Sequence, residues 1–380
     1  LAALFEILLG DPQLPDAVKA ALGRLQIPLL KAAILDESFF TDPEHPARGF
    51  MDAVTRAVMG LDARADGQHP ACRAVRDAVA AVQGSFERDP EVFARHSAEL
   101  ETFIARRDHD LQAAVAEYLP LARRVEQGDL AYLVARDAIR GRLMANTPPV
   151  IAEFLRTDWR KVLELSWMEG GEEGASWQAA RQVLDELLWS VAGKADPEER
   201  KRVAAVVPGL LRRLREGLDR VGVTPQSRAT FFDACFALQT AVLKGKPLAA
   251  EPAAPAAGSA DAQPVFAMQT MVESNGRILK SLRAAELSER APGRRVAALR
   301  VGDWVEFSDS AGARYCGRLC WLSPLLGEPL FLNPDWGWGI NVVPQVLEAQ
   351  LAGSQTRVCG DRSLFDVAAE KVLAAIKPPR

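Results

Sequence analysis

Residues 245–264 read GKPLAAEPAAPAAGSADAQP, and this stretch decides how the chain is divided. Ala, Pro, Gly and Ser dominate it, and no bulky apolar side chain occurs between Leu248 and Val265. Such a composition buries too little surface to offset the entropy lost on ordering, which is typical of a flexible linker. We therefore predict a linker at residues 246–264 that joins a region at 1–245 to a second region at 265–380.

The region before the linker shows the spacing and the start signals of helices. Proline, which is tolerated at the first helical position, follows a turn or capping residue at six places: Asp11-Pro12, His45-Pro46, His69-Pro70, Asp89-Pro90, Asp196-Pro197 and Thr224-Pro225. One apolar stripe repeats every three or four residues: Val203, Val206, Val207, Leu210, Leu211, Leu214, Leu218 and Val221. Pro208 within this stripe predicts a kink or a break. We predict an all-helical region over residues 1–245, with a division into two subdomains near residue 147.

The pattern changes after the linker. Residues 301–307 alternate apolar and polar side chains, and a Gly-containing turn then leads to residues 314–322, which predicts a β-hairpin. Short strands are also expected at 329–332 and 339–343, and a helix at 364–376. A small barrel would bury one face of so few strands while limiting exposed edges. For residues 266–290, a short helix is one interpretation.

The fold class predicted from these patterns is multidomain α+β: an all-helical region followed by a small β-barrel domain with a C-terminal helix. The formal net charge of −4 argues against a general attraction to nucleic acid or anionic membranes. No run approaches the roughly 20 apolar residues needed to span a bilayer. Five scattered cysteines argue against a disulfide framework and favour a reducing cytoplasm. The apolar first residues favour a helix of a fragment or processed chain over a signal peptide.

Motifs for catalysis and metal binding are missing from the sequence. It contains no G-x-S-x-G, no G-x-x-x-x-G-K-[ST] and no G-x-G-x-x-G after a strand. The four histidines have no H-E-x-x-H spacing. Cys316-x-x-x-Cys320 lacks two further zinc ligands, so small apolar residues on a strand are the favoured interpretation. We predict no catalytic residue, metal site or cofactor.

Two features of the second region are candidates for ligand binding. Seven cationic residues and two glutamates lie between Arg277 and Arg300, a local excess of five positive charges. Arg290, Arg294 and Arg295 lie there on a Pro/Gly-rich segment, and arginine side chains pair well with phosphate. A solvated connector between domains is the alternative. The pair in Trp336-Gly-Trp338 indicates either an exposed stacking surface or a plug at one end of a barrel.

Several stretches together resemble a bacterial family of long helical proteins catalogued as a domain of unknown function. Its members often carry the label "thymidine phosphorylase", which no motif in this sequence supports. The resemblance implies a cytoplasmic two-part protein with more sequence upstream, and it implies no established activity. The matching stretches are residues 25–31, 45–48, 177, 187–191, 208–218, 301–306, 319–324 and 330–333.

The region after the linker is also similar to PilZ domains, which are barrels that bind cyclic dimeric GMP. Their R-x-x-x-R loop is matched by Arg290 and Arg294, whereas their D/N-x-S-x-x-G motif is not found, because residues 308–312 lack its spacing. The leading hypothesis is a non-enzymatic cytoplasmic regulatory or scaffold protein that acts through an unknown protein partner. The alternative is a cyclic dimeric GMP sensor in which Arg290, Arg294 and Arg295 clamp the phosphates. An enzyme of unrecognised type is a third hypothesis.

Overall fold

A computed structural model describes residues 5–6, 9–10, 14–245, 266–272, 276–284, 287, 293–353 and 356–359. The contacts within it divide the chain into two compact units. The sheet unit comprises Leu1–Ala122, Val265–Ala285 and Ala291–Arg380, and the helical unit comprises Arg123–Pro264 and Glu286–Arg290. The first 122 residues are thus grouped with the strands. The predicted domain boundaries depend on the linker at 246–264, which lies outside the described residues, so they stay a prediction.

The helices confirm the predicted helical character of the first region. In chain order within the described residues they are α1 Asp16–Arg24, α2 Gln26–Leu35, α3 Pro46–Ala57, α4 Pro70–Ser85, α5 Glu91–Arg140, α6 Pro149–Phe154, α7 Arg160–Gly170, α8 Ala175–Val191, α9 Pro197–Arg220, α10 Pro225–Leu243 and α11 Pro344–Ala352. Short 3-10 helices lie at Glu37–Phe40 and Val296–Ala298, and a π-helical turn lies at Leu155–Trp159.

The predicted helix starts are confirmed wherever they lie within the described residues; Asp11-Pro12 lies outside them. In α4 the ring nitrogen Nδ1 of His69 accepts a hydrogen bond from the Ala71 N–H at 3.2 Å, which satisfies one of the unpaired N–H groups at the helix start. Of the kink or break predicted at Pro208, the break is wrong, because α9 runs on through this residue, and the kink stays a prediction. Pro208 is exposed, so water can reach the carbonyl group that loses its helical partner there.

The helical unit has its own apolar core, and the predicted stripe of α9 contributes to it. Leu210, Leu214 and Leu218 are fully buried. Trp159 lies in the same core, and its indole N–H donates a hydrogen bond to the Ala180 carbonyl at 3.2 Å. Gly217 on α9 leaves the room that this ring needs: a Cβ atom at that position would lie 2.8 Å from the ring.

Seven strands within the described residues form one mixed sheet. They are β1 Phe266–Val272, β2 Ile278–Ala284, β3 Trp304–Ser308, β4 Arg314–Leu322, β5 Pro329–Leu332, β6 Trp338–Val342 and β7 Arg357–Cys359. Their order across the sheet is β1-β2-β6-β5-β4-β3-β7; β2 and β6 are parallel and the other neighbours are antiparallel. The four strands predicted from the sequence are confirmed, whereas the short helix considered for residues 266–290 is wrong.

The predicted barrel is also wrong, because the sheet is open and β1 and β7 are its edges. The barrel was inferred from the need to bury one face of a few strands. Helices of the same unit meet that need instead. On α5, Gln112 donates a hydrogen bond to the Cys320 carbonyl on β4 at 3.1 Å, and the guanidinium of Arg107 lies 4.8 Å from the Trp304 ring centroid. Strand β5 is buried along its whole length, so both faces of the sheet are covered there.

Two helices near the end of the chain remain to be compared with the sequence predictions. Helix α11 was not predicted, and its proline at the first helical position was the available signal. The helix predicted at 364–376 lies outside the described residues.

Candidate functional site

A cleft of about 620 Å³ lies within the sheet unit. Its walls come from the end of α3 and the loop after it, from the start of α4, from α5, and from the turn between β5 and β6. We call it the aromatic cleft because four aromatic side chains line it. These are Phe103, Tyr118, Trp336 and Trp338. The volume lies within the range of about 300–1,000 Å³ that is common for small-molecule sites.

Trp336 and Trp338 form a stacked pair in this cleft, with ring centroids 4.5 Å apart and an angle of 11° between the rings. Trp336 lies in the turn before β6, and Trp338 is the first residue of β6. Tyr315 meets both rings edge-on, at 6.2 Å and 6.0 Å. The Nζ atom of Lys280 lies 3.6 Å from the Trp338 ring centroid. The barrel plug is wrong because the sheet is open, whereas the two half-buried indoles stack on each other and an exposed stacking surface stays a prediction.

Asn333 lines the cleft, and its side chain bonds to three segments around it. Its side-chain amide donates hydrogen bonds of 2.7 Å to the Gly60 carbonyl and to the Cys316 carbonyl, and its Oδ1 accepts one of 2.8 Å from the Asp335 N–H. Gly60 has a φ of +80°, and a Cβ atom there would lie 2.2 Å from the Trp304 ring. Only glycine fits such a conformation and such a close approach at low cost.

Three arginines line the cleft, and they differ in how far they are already engaged. Arg107 pairs with Asp108 at 2.9 Å, and burial lowers the pKa of its guanidinium. Arg277 forms an ion pair with Glu117. Arg106 is exposed and has no ion pair or hydrogen bond within the described part of the chain. Arg106 is therefore the cation of the cleft that is left for a ligand.

The two aspartates that line the cleft also differ in whether they already have a partner. Asp335 lies 2.8 Å from Nε2 of His69, whose Nδ1 accepts the Ala71 N–H that begins α4. Both ring nitrogens of His69 are thus engaged. The imidazole links the start of α4 to the turn between β5 and β6, and it has no free nitrogen to act as a base. Asp110 lies one helical turn after Arg106 and has no ion pair or hydrogen bond within the described residues.

Of the three arginines proposed from the sequence, the structure describes Arg294 and Arg295, so a shared site for all three stays a prediction. Arg290 lies outside the described residues. Arg294 is exposed. The side chain of Arg295 lies 3.5 Å from a carboxylate oxygen of Glu348, and the same carboxylate accepts the N–H groups of Arg295 and Val296. Glu348 thus balances Arg295 and orders the 3-10 helix at Val296–Ala298.

The cysteines also pair differently from the sequence pattern. Cys320 lies at a register shift between β4 and β5, buried, with its thiol donating to the Arg318 carbonyl. Cys316 donates a hydrogen bond to Cys359, which raises the pKa of Cys316 and lowers the pKa of Cys359. No group of three or more metal-binding side chains occurs within the described ranges.

Helix α2 presents a second candidate surface. Ile27, Leu30 and Ile34 lie on one face and are 66%, 48% and 72% exposed. Leu35 and Phe40, at the end of α2 and in the 3-10 helix that follows, are also more than half exposed. We call these five residues the apolar face of α2. The sequence signal for this face was the segment QIPLLKAAIL, whose apolar residues are spread around the whole helix, although one side of α2 is exposed to solvent.

The comparisons with known proteins identify a family and no relative of known activity. Residues 1–89 match the model described as "Protein of unknown function (DUF1631) 2nd domain", and residues 121–234 match the model described as "Protein of unknown function (DUF1631) third domain". Neither the curated proteins nor the solved structures contain a match. Among the helices that the structure describes, none is long and apolar enough to span a bilayer. The two matches together cover more than half of the chain, which therefore belongs to the DUF1631 family.

Proposed function

We propose that this protein is a non-enzymatic regulatory or scaffold protein that binds a partner protein through the apolar face of α2. The observation that carries the proposal is the exposure of Ile27, Leu30 and Ile34 on one side of a helix whose other side is buried. A helix that is apolar all round is normally buried on all sides. A contiguous exposed apolar surface of this kind typically marks an interaction site.

The surroundings of α2 indicate the chemistry of the partner. A groove beside the helix is lined by Ile27 together with the exposed cations Arg24 and Lys31. We infer that the occupant is an amphipathic helix of another protein, with an apolar stripe flanked by acidic residues. Burying an aliphatic side chain such as Ile34 contributes roughly 1.5–3 kcal/mol, so a few of them suffice for a regulated contact.

A binding role is also supported by His69 and the buried thiols, which are side-chain types that often act in catalysis but are engaged or buried in this protein. Both nitrogens of His69 are engaged. Burial raises the pKa of Cys235 to about 12 and also raises that of Cys320, so neither of these two thiols is activated as a nucleophile; Cys359, whose pKa is lowered, is the exception and pairs with Cys316. We place this function in the cytoplasm, where free cysteines stay reduced.

The test is quantitative affinity purification from the native bacterium with tagged full-length protein. We expect a partner that the wild type recovers and that the double variant Ile27→Asp/Ile34→Asp loses. Val301→Asp is the matched control, because Val301 is a similarly exposed aliphatic residue outside the apolar face of α2. Equal recovery by all three proteins would refute the proposal. If the recovered partner is a second copy of this chain, the site is a self-association surface and the scaffold role is wrong.

Cyclic dimeric GMP sensing remains a second candidate, supported by Arg294, which is exposed and has no partner among the described residues. Calorimetry with cyclic dimeric GMP tests it. Binding that is lost in the Arg290→Ala/Arg294→Ala variant would support it. The absence of heat at high micromolar ligand, or equal binding by that variant, would exclude it.

A further inference from the structure

The aromatic cleft is separate from the apolar face of α2, and the proposed partner binding does not use it. Its lining combines an aromatic wall with one cation and one anion that lack partners within the described chain. We propose that the cleft binds a small zwitterion with a planar aromatic ring, of which an aromatic α-amino acid is the simplest example. The ring stacks on Trp336, the carboxylate pairs with Arg106, and the ammonium group pairs with Asp110.

Trp336 is the outer ring of the aromatic wall. Trp338 has the Lys280 ammonium over one face at 3.6 Å and Trp336 stacked on the other at 4.5 Å. Tyr315 is nearly equidistant from both indoles and nearly perpendicular to them, so it lies at the edge of the stack. The outer face of Trp336 carries no other ring or cation among the described residues, although Gly317 on β4 packs close to this ring, since a Cβ atom there would lie 3.0 Å from it. Offset stacking of a planar ring on that face is the geometry that indoles prefer.

The charges select a ligand with both signs. Arg107 and Arg277 already pair with Asp108 and Glu117, and Asp335 already pairs with His69. What remains is Arg106 and, four residues later on the same helix face, Asp110. No ion pair joins these two side chains, although their spacing would allow one. A fully anionic ligand would meet Asp110, and a fully cationic ligand would meet Arg106; a zwitterion satisfies both.

The size of the cleft agrees with this class of ligand. A volume of about 620 Å³ exceeds what one amino acid fills, so the site has room for ring substituents or for bound water. The apolar remainder of the lining, which includes Leu61, Leu111 and Leu332, suits an aromatic body.

Calorimetric titration of the full chain with L-tryptophan tests the proposal. We expect saturable binding by the wild type, and Arg106→Gln and Asp110→Asn should each weaken it by about tenfold, the loss of one charge-assisted hydrogen bond. Arg95→Gln is the matched control, because Arg95 is an exposed arginine earlier on α5 and does not line the cleft. It should bind as the wild type does. Both substituted side chains are exposed, so the variants should fold.

Two analogues assign each charge to its partner. Indole-3-propionate lacks the amine, so its binding should not respond to Asp110→Asn; tryptamine lacks the carboxylate, so its binding should not respond to Arg106→Gln. Trp336→Ala should weaken all three ligands. The proposal is overturned if millimolar L-tryptophan gives no saturable heat, or if Arg106→Gln and Asp110→Asn both bind as the wild type does. Ile27→Asp/Ile34→Asp should bind L-tryptophan normally, which separates this test from that of the proposed function.

Discussion

Replacing Asn333 by alanine should loosen the sheet unit while leaving the helical unit intact. The side chain is buried, and it connects the loop after α3 to strand β4 through its bonds to the Gly60 and Cys316 carbonyls. It also orders the turn that carries Trp336, because its Oδ1 holds the Asp335 N–H. Two of the three hydrogen bonds thus join segments that are distant in sequence, and the third is local to the turn.

The expected cost follows from these bonds. A typical intramolecular hydrogen bond contributes about 0.5–1.5 kcal/mol, and leaving a buried partner unsatisfied costs more than the average. Three bonds at about 1 kcal/mol each give a loss of about 3 kcal/mol in the free energy of opening this region. Because 1.4 kcal/mol corresponds to a factor of ten, opening should become about a hundredfold more frequent.

Hydrogen exchange followed by mass spectrometry measures this by region. Peptides that cover residues 57–61 and 314–338 should exchange faster in Asn333→Ala, whereas peptides from α8 in the helical unit should not change. Asn146→Ala is the control, because Asn146 is exposed and makes no hydrogen bond within the described structure. It should change stability by less than about 0.5 kcal/mol.

Unchanged exchange at residues 57–61 in Asn333→Ala would refute this reasoning, since it would mean that the bond to the Gly60 carbonyl does not hold in solution. Faster exchange in both units would also refute it, because the two units would then open together.

Other predictions concern the helical unit and the thiols. Gly217→Ala should destabilise the protein by up to about 2 kcal/mol, because the new Cβ would press on the buried Trp159 ring. The overpacking cost of about 1–3 kcal/mol is partly offset by a gain in helix propensity of about 1 kcal/mol, and a higher thermal midpoint would contradict this. Cys359 should alkylate faster than Cys235 at neutral pH, because the Cys316 thiol donates to Cys359 and lowers its pKa, whereas burial raises that of Cys235 to about 12. Cys316→Ala removes the donor and should slow alkylation of Cys359, as followed by peptide mass spectrometry; an unchanged rate would show that the two thiols do not interact.

The parts of the fold that depend on local signals were predictable from the sequence. Helix starts at Pro46, Pro70 and Pro197 need only a capping residue and a proline, and the hairpin of β3 and β4 needs only alternation and a turn. These signals lie within a few residues of the element that they specify, so no knowledge of tertiary contacts is required.

The parts that depend on distant contacts were not predictable. The sheet needs no closure into a barrel because α5 covers part of it, and nothing near β4 in the sequence shows that Gln112 will bond to it. Residues 266–284 have weak alternation, and β2 is placed inside the sheet by pairing with β6, which follows some sixty residues later, as well as with the neighbouring β1. Long-range pairing of this kind overrides local propensity.

The candidate sites likewise contain residues that the sequence singled out and residues that only the fold brings together. Trp336 and Trp338 stood out in the sequence, but Arg106 and Asp110 are ordinary charges on a long helix and become notable only where the cleft forms beside them. The apolar face of α2 had a signal, since QIPLLKAAIL is too apolar for a helix with a solvated side. Which of its sides stays exposed depends on the packing of Leu29 and Ala33 into the core.

The proposed function depends on whether the apolar face of α2 contacts another protein in the cell. Photo-crosslinking from a benzoylphenylalanine placed at Leu30 answers this most directly, with the same residue placed at Val301 as the control. We predict one discrete adduct with a different protein from position 30, none from position 301, and loss of the adduct when Ile27→Asp and Ile34→Asp are added. No adduct at position 30, or the same adducts from both positions, would contradict the account.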